Sequence, residues 1–259
     1  DVHIPGMELI STDHLVLRKF SEINNHESNM VMKTEWNDSF DINTEIEIIF
    51  DYYGDLSFSW VVGPLTSPPN LYDLLLEKGM VAADKFTGLA MKVVEGNKPK
   101  NTPYEIIEVT TEEDLHLLVD VIAETNRLNE KDTKSMYQER EMQLKQPDRR
   151  SGFLLAIENG KGIGFGNYRI SKNGLFMFFV GGLVLPAYRG RGIYRSLTEH
   201  RLALAEQLGC EYITVFARSN TSAPILKRMG FKSYGEYTIL KKINESISSS
   251  INANGINQH

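Results

Sequence analysis

Cysteine is nearly absent from this sequence, and histidine is scarce and scattered. Cys210 is the single cysteine among 259 residues, so an internal disulfide is excluded and a reducing compartment fits best. We interpret Cys210 as a small buried apolar residue rather than a nucleophile. The six histidines show no metal-ligand spacing, so we expect the protein to bind no metal.

An excess of positive charge and a long apolar run are also missing. The chain has 28 Lys and Arg against 34 Asp and Glu, a net charge of −6, which argues against a globally basic nucleic-acid or membrane surface. The longest apolar run, residues 175–188, is shorter than the ~20 residues of a membrane helix. The first residues lack the basic-then-apolar pattern of a secretory signal. We expect a cytoplasmic protein with neither nucleic acid nor membrane as a partner.

The apolar content, 41%, is sufficient for two packed domains in a chain of this length. A polar segment without periodicity, residues 95–103, contains Gly, Asn, Lys and Pro and is typical of a linker. We predict an N-terminal domain over residues 1–97, a linker over 98–103, a second domain over 104–243 and a flexible polar tail over 244–259.

Strand and helix patterns alternate through the second domain. The predicted strands cover residues 104–109, 152–157, 162–170, 175–185, 212–217 and 234–240, and the predicted helices include 132–146, 190–208 and 222–229. A further helix follows Thr110 and Glu113, which have capping-box spacing. The glycine series Gly162, Gly164 and Gly166 lies inside a strand, so we interpret it as a close-packed strand rather than a dinucleotide loop.

One strand-to-helix corner, LPAYRGRGIY at residues 185–194, combines two glycines with two arginines. Glycines open the main chain to a ligand, and a helix start presents aligned N–H groups with about half a positive charge. Flanking arginines add charge-assisted hydrogen bonds. The pattern predicts a cradle for a diphosphate, with a plain glycine turn and two solvated arginines as the alternative. The P-loop pattern GxxxxGKS/T does not occur.

The surroundings of this corner resemble the GNAT superfamily of N-acetyltransferases. The segment VLPAYRGRGIYRSL, then a long helix, a strand and SAPILKRMGF, is similar to the family signature, and the resemblance extends over about Tyr104 to Leu240. Arg189 and Gly192 match the family's loop, whereas Tyr194 stands where Gly or Ala is usual. The resemblance implies an α/β fold with a mixed, mostly antiparallel sheet flanked by helices, and a second, smaller GNAT-like N-terminal domain.

The resemblance also implies a binding site for acetyl-CoA as co-substrate. In the family, the strand before the loop pairs with pantetheine and the loop holds the diphosphate. Asn220 falls near the pantetheine slot, with a helix N-cap as an equal alternative. The residues implied in cofactor binding are Leu183, Val184, Leu185, Arg189, Gly190, Arg191, Gly192, Ile193, Tyr194, Arg195 and Asn220.

Catalytic residues are less well defined by the pattern. Many family members have a tyrosine as general acid where this chain has Leu226, which cannot donate a proton. Tyr194, Ser222 and Glu139 are the candidate catalytic residues; structural roles for the first two and a solvated helix face for Glu139 are the alternatives. Tyr168 faces either the cleft or the core.

We predict an N-acetyltransferase that transfers the acetyl group of acetyl-CoA directly to a primary amine of a small molecule or peptide through a tetrahedral intermediate. The protein is a monomer or a homodimer. Two alternatives are an acyltransferase that uses a different acyl-CoA, and a regulatory, non-catalytic acyl-CoA-binding protein, which the absent tyrosine would favour.

The N-terminal half contains a weak sequence repeat of part of the second domain. The stretch TSPP before LYDLLLEKGM is similar to TSAP before ILKRMGF, and each follows an apolar strand. From Ser to Gly the interval is 12 residues in the first copy (67 to 79) and 8 in the second (222 to 230), which predicts one additional helical turn in the first. Because that half has no counterpart of RGRG, we interpret it as a degenerate GNAT-like copy.

Overall fold

The computed structural model describes residues 6–96 and 99–244. The chain divides into two compact units, which are treated separately below: the first comprises Asp1–Thr87, Arg218–Ala223 and Gly235–His259, and the second Gly88–Ala217 and Pro224–Tyr234. Residue 98 of the predicted linker and nearly all of the predicted tail lie outside the described residues. The predicted domain boundaries therefore stay a proposal.

The first unit is built on a sheet in the order β1-β2-β3-β4-β11, with β3 and β4 parallel and the other pairs antiparallel. Its elements are β1 (Met7–Ser11), β2 (Leu15–Phe20), β3 (Met30–Thr34), α1 (Ile42–Tyr53), β4 (Phe58–Val62), α2 (Leu71–Glu77) and most of β11 (Lys232–Lys242).

Aromatic side chains fill the core of the first unit. Trp36 and Trp60 meet edge to face with their ring centroids 5.9 Å apart, and Tyr53 stacks on Phe58 at 4.3 Å. The Trp60 Nε1–H donates to Thr34 Oγ1 at 2.9 Å, so the polar atom of this buried ring is satisfied. All four aromatic side chains are buried, which makes this cluster a hydrophobic core.

The second unit has the strand order β10-β9-β8-β7-β6. Pairing is antiparallel except between β9 and β10, which run parallel, so the predicted mixed, mostly antiparallel sheet flanked by helices is confirmed. Its elements are β6 (Glu105–Glu108), α3 (Glu112–Asn126), α4 (Glu130–Leu144), β7 (Ser151–Glu158), β8 (Lys161–Ile170), β9 (Phe176–Val184), α5 (Ile193–Gln207) and β10 (Tyr212–Arg218), which ends one residue into the first unit.

An internal repeat is visible in the order of elements along the chain. The series β3-α1-β4-α2-β5 corresponds to β9-α5-β10-α6-β11, where β5 is Val81–Lys92 and α6 is Ser222–Arg228. Each series contains a helix that connects two parallel strands. The similarity between the TSPP and TSAP stretches of the sequence thus reflects a repeated order of strands and helices.

The predicted extra helical turn in the first copy is wrong. Helices α2 and α6 have seven residues each, and the four additional residues, 67–70, precede α2. A residue before proline is disfavoured in the helical conformation. Pro68 and Pro69 therefore delay the start of α2 until Leu71.

The glycine series of β8 allows close packing, as the strand interpretation predicts. A Cβ at Gly162 would lie 2.7 Å from Val121 Cγ2 and 2.8 Å from the carbonyl oxygen of Leu117, both on α3. A Cβ at Gly164 would lie 2.8 Å from the carbonyl oxygen of Leu183 on β9. The series therefore brings β8 close to a helix and to a neighbouring strand, and no helix follows it.

We expect Gly162→Ala to lower the free energy of unfolding by about 1–3 kcal/mol, because the added methyl must displace α3 backbone as well as a side chain. Urea denaturation monitored by circular dichroism measures this change. Ala83→Val, at an exposed position of β5, adds carbon without such a contact and serves as the control. Equal stability of Gly162→Ala and the parent would contradict the close packing.

Candidate functional site

The parallel strands β9 and β10 pair only over a short stretch, from Phe176 opposite Tyr212 to Phe179 opposite Val215. Immediately beyond, β9 contains a bulge: Phe179 lies opposite Tyr168 of β8 and Gly181 lies opposite Asn167, which leaves Val180 as the additional residue. The remainder of β9 stays paired with β8, while its other edge is left without β10 as a partner. We call this place the β9–β10 opening.

The direction of the β9 backbone shows which residues face the opening. The N–H of Leu185 donates to the carbonyl oxygen of Ile163 at 3.0 Å, on the β8 side. Since backbone groups alternate along a strand, those of Leu183 also point to β8, and those of Val184 and Gly182 point to the opening. Of the three predicted strand residues, Val184 is therefore the one whose backbone N–H and carbonyl face the β9–β10 opening. Gly182 was missed, although strict alternation from Val184 would have indicated it.

The loop after β9 owes its shape to two glycines. A 3₁₀ turn, Pro186–Tyr188, leads into it. Gly190 and Gly192 have φ values of 78° and 81°, in the region that favours glycine, and a Cβ on either residue would meet nothing within 4 Å. The glycines are thus required by backbone conformation, and the space beside them is open to a ligand.

Helix α5 begins without a side-chain cap. Gly192 is its N-cap, and the N–H of Ser196 makes the first intrahelical bond, to the Gly192 carbonyl at 3.0 Å. The N–H groups of Ile193, Tyr194 and Arg195 precede that bond and have no intrahelical acceptor, and no acidic residue lies in the first turn. This helix start is therefore suited to bind an anion.

The other long helices in the described ranges have side chains that cap their N-termini. Side chains cap α1, α3 and α4 through Asp41, Thr111 and Asn129 respectively. At α1, the counterpart of α5 in the repeat, hydrogen bonds from the Thr44 side chain and N–H lower the pKa of Asp41. A carboxylate at this position occupies the place where α5 is open and repels a further anion.

The two arginines of the loop, Arg189 and Arg191, and Arg195 in the first turn of α5 differ in their contacts. Arg189 Nε donates to the Val184 carbonyl at 3.2 Å, at the edge of the opening. Arg191 pairs with Glu158, with Nη1 and Oε2 3.1 Å apart, and this guanidinium lowers the pKa of the Glu158 carboxyl. Arg195 is exposed and has no partner within residues 6–96 and 99–244. Arg195 is therefore a cation at the start of α5 that is available to a ligand.

A buried arginine lies beneath the bulge. Arg201 of α5 is 1% exposed, and its Nη1 lies 3.3 Å from the carbonyl oxygens of both Asn167 and Gly181, so that it bridges β8 and β9 at the opening. Its guanidinium also lies 4.0 Å from the centre of the Phe179 ring. A Cβ on Gly166 would be 2.8 Å from Arg201 Cζ, so glycine at this position makes room for the cation.

The Arg201 charge is retained at neutral pH. Burial lowers the pKa of Arg201 to about 10, while the nearby Tyr194 hydroxyl acts in the opposite direction. The sequence contained a signal for this residue: Ile193, Leu197, Arg201 and Ala205 recur every four residues, and all four are buried. A fixed positive charge thus lies under the point where β9 and β10 separate.

The candidate catalytic residues lie in different places. Tyr194 is partly buried against the apolar cluster beneath α5. Glu139 is exposed on α4 and pairs with the adjacent Arg140 at 3.1 Å. Ser222 is the first residue of α6 and, with Asn220, belongs to the first unit. Their catalytic or binding roles stay predictions.

Tyr168 lies in the core. It is buried, and its hydroxyl donates to Glu108 Oε1 at 2.7 Å. Burial, together with this carboxylate, raises the pKa of Tyr168. Leu226, in the slot of the family's usual acid, is also buried.

Two further searches cover the described part of the chain. Within it, no three His, Cys, Asp or Glu side chains lie close enough together to hold a metal ion. None of the helices in residues 6–96 and 99–244 has both the length and the apolar character needed to cross a membrane.

Comparison with known proteins identifies the fold and shows similarity to one family. A conserved protein of unknown function from Staphylococcus epidermidis superposes with a TM-score of 0.68 at 12% identity, covering 94% of this chain and 96% of that one. A GCN5-related N-acetyltransferase from Kribbella flavida gives 0.66 at 15% identity (92% and 90%), and a tandem GNAT protein from the clavulanic acid biosynthesis pathway gives 0.63 at 10% identity (92% and 83%). These likenesses show a GNAT-type fold.

The similarity to the family extends to the sequence. Residues 120–231 match the family model described as the acetyltransferase (GNAT) family, and no curated protein matches the chain. Through this segment the chain is similar to the GNAT acetyltransferase family, in agreement with the resemblance drawn from the loop. This similarity favours acyl transfer as the general type of reaction.

We expect Arg201→Met to lower the free energy of unfolding by about 1–3 kcal/mol, because the Asn167 and Gly181 carbonyls lose a buried donor. Chemical denaturation of the variant, with the exposed Arg228→Met as control, measures the effect. Unchanged or higher stability of Arg201→Met would show that the cost of burying the charge exceeds the value of its contacts.

Proposed function

We propose that the protein is an N-acetyltransferase that takes its acetyl group from acetyl-CoA. The observation that carries the proposal is the open N-terminus of α5, which directly follows the unpaired edge of β9. Pantetheine amides would pair with Gly182 and Val184, and the diphosphate would lie on the N–H groups from Gly190 to Tyr194.

The charges of the loop support this assignment. A diphosphate needs N–H donors and positive charge without a competing carboxylate, and the first turn of α5 supplies the donors. Arg195 supplies a cation without a partner, whereas the charge of Arg191 is balanced by Glu158. The open space beside Gly190 and Gly192 lets phosphate oxygens approach the main chain. The residues of the loop and of the first turn of α5 therefore fit the diphosphate of acetyl-CoA.

The chemistry follows from a thioester and an amine held together. The amine nitrogen forms a bond to the acetyl carbon, the carbon–sulfur bond breaks, and the proton of the amine passes to solvent or to the departing thiolate. The fixed positive charge of Arg201 and the backbone N–H donors at the β9–β10 opening would stabilise the tetrahedral oxyanion. Because a thiolate is a good leaving group, the reaction tolerates Leu226 in the slot of the usual acid.

Leu226 also favours a second candidate, a non-catalytic acyl-CoA-binding protein. Its side chain is buried and cannot transfer a proton. An acyltransferase that uses an acyl-CoA other than acetyl-CoA is a variant of the first candidate. We propose a small-molecule or peptide amine as acceptor, a monomer or homodimer as the assembly, and a cytoplasmic location.

We expect acetyl-CoA to raise the melting temperature of the protein, and Gly192→Ala to weaken acetyl-CoA binding by about tenfold, because alanine disfavours the backbone that presents the N–H groups. Calorimetric titration measures the binding. Gly174→Ala is a matched control, since Gly174 has a φ of 76° and equally open surroundings in a different turn.

The donor analogue acetylpantetheine, which lacks the diphosphate, is expected to bind both glycine variants with equal affinity. Equal binding of acetyl-CoA to Gly192→Ala and Gly174→Ala would show that the diphosphate lies elsewhere. No thermal shift of the parent protein with acetyl-CoA would overturn the proposed function. A shift without thiol release from any amine would favour the non-catalytic candidate.

A further inference from the structure

One face of β9 and β10 carries exposed aromatic residues. Phe176 and Phe178 alternate on β9, and Tyr212 and Phe216 occupy the same face of β10; we call this surface the aromatic face. Phe178 is 41% exposed and Phe216 62%. Phe176 stacks on Tyr212 and on Phe178, with ring centroids 5.5 and 6.4 Å apart. Phe176, Phe178 and Tyr212 are thus contiguous on the aromatic face.

The opposite face of the same strands is packed. Met177, Phe179 and Ile213 are all buried. The aromatic side chains thus keep their exposure in the presence of all other described residues, although their neighbours on the same strands are covered. A contiguous exposed apolar surface of this kind is typical of a binding site.

The aromatic face has a cation at its side. Arg169 of β8 lies directly opposite Phe178, and residues directly opposite in an antiparallel pair project from the same face. Arg169 is exposed, and no hydrogen bond or ion pair engages it in the described part of the chain. On β10 the face ends in Arg218, two residues beyond Phe216, whose charge is balanced by its ion pair with Asp84. The local charge is therefore positive, in contrast to the net charge of −6.

The aromatic face ends at the β9–β10 opening. Val180, the additional residue of the bulge, is 54% exposed and follows Phe178 by two residues, about 7 Å along the strand. In the proposed function the acetyl group lies at this opening. A molecule with its ring on Phe178 would therefore bring an attached amine close to the acetyl carbon, provided that the molecule is small.

We propose that the acceptor is a small aromatic amine that also carries a carboxylate, with its ring on the aromatic face, its carboxylate on Arg169 and its amine at the β9–β10 opening. The inference rests on the proposed function. The guanidinium would form charge-assisted hydrogen bonds with the carboxylate and would repel an acceptor with a second cationic group. Acetylation forms the nitrogen–carbon bond and breaks the thioester carbon–sulfur bond, and the amine proton leaves to solvent.

A panel of three amines separates the contributions of ring and carboxylate. Phenylalanine has both groups, phenethylamine has the ring alone, and alanine has the carboxylate alone. With acetyl-CoA and the full chain, we expect thiol release to be at least about tenfold faster, as kcat/KM, for phenylalanine than for either of the other two.

Two variants assign the contributions to residues. Arg169→Gln should raise KM for phenylalanine about tenfold, change kcat little, and leave phenethylamine unaffected. Phe178→Ser should raise KM for phenylalanine and for phenethylamine to similar extents. Arg228→Gln and Tyr234→Ser, at exposed positions of α6 and β11, are the matched controls and should behave like the parent.

The outcomes distinguish this inference from the proposed function. If acetyl-CoA binds but phenethylamine or alanine is acetylated as well as phenylalanine, or if Arg169→Gln affects all amines equally, the acceptor class is wrong and the donor site stands. If the protein is a dimer that Phe178→Ser converts to a monomer, the aromatic face is a subunit interface and the inference fails. If acetyl-CoA itself does not bind, the proposed function fails first.

Discussion

The separation of β9 and β10 is the constraint on which the candidate site depends. Parallel strands that part leave backbone donors and acceptors without partners, and such groups are costly unless other groups satisfy them. Here Arg201 bridges the Asn167 and Gly181 carbonyls beneath the bulge, and Arg189 occupies the Val184 carbonyl at the edge. The opening is thus held by cationic side chains, which also make it favourable for negative charge.

The internal repeat shows how one local architecture supports two different helix starts. In both copies a helix connects two parallel strands. The carboxylate of Asp41 satisfies the N-terminus of α1, whereas Gly192 leaves that of α5 open. The difference lies in a few residues of one loop, and in the proposed function it decides which copy holds the diphosphate. This gives a physical meaning to the term degenerate copy that the sequence suggested.

Much of the second unit could be predicted from the sequence, because its strands, its long helix and the RGRG loop all have local signals. The buried charge was also readable, since Arg201 continues the four-residue spacing of Ile193 and Leu197. The bulge at Val180 was not, because it exists only in the pairing of β9 with β8. The aromatic face likewise depends on which face the helices leave uncovered. Residue spacing therefore predicted the backbone of the RGRG loop, whereas it gave no sign of the aromatic face.

The cap at α1 has a consequence for the composition of the complex. Because Asp41 uses a first-turn donor of α1 for its own carboxylate, the start of α1 does not offer a second place of this kind for a diphosphate. Donor and chain would therefore combine in a one-to-one ratio, despite the duplicated architecture.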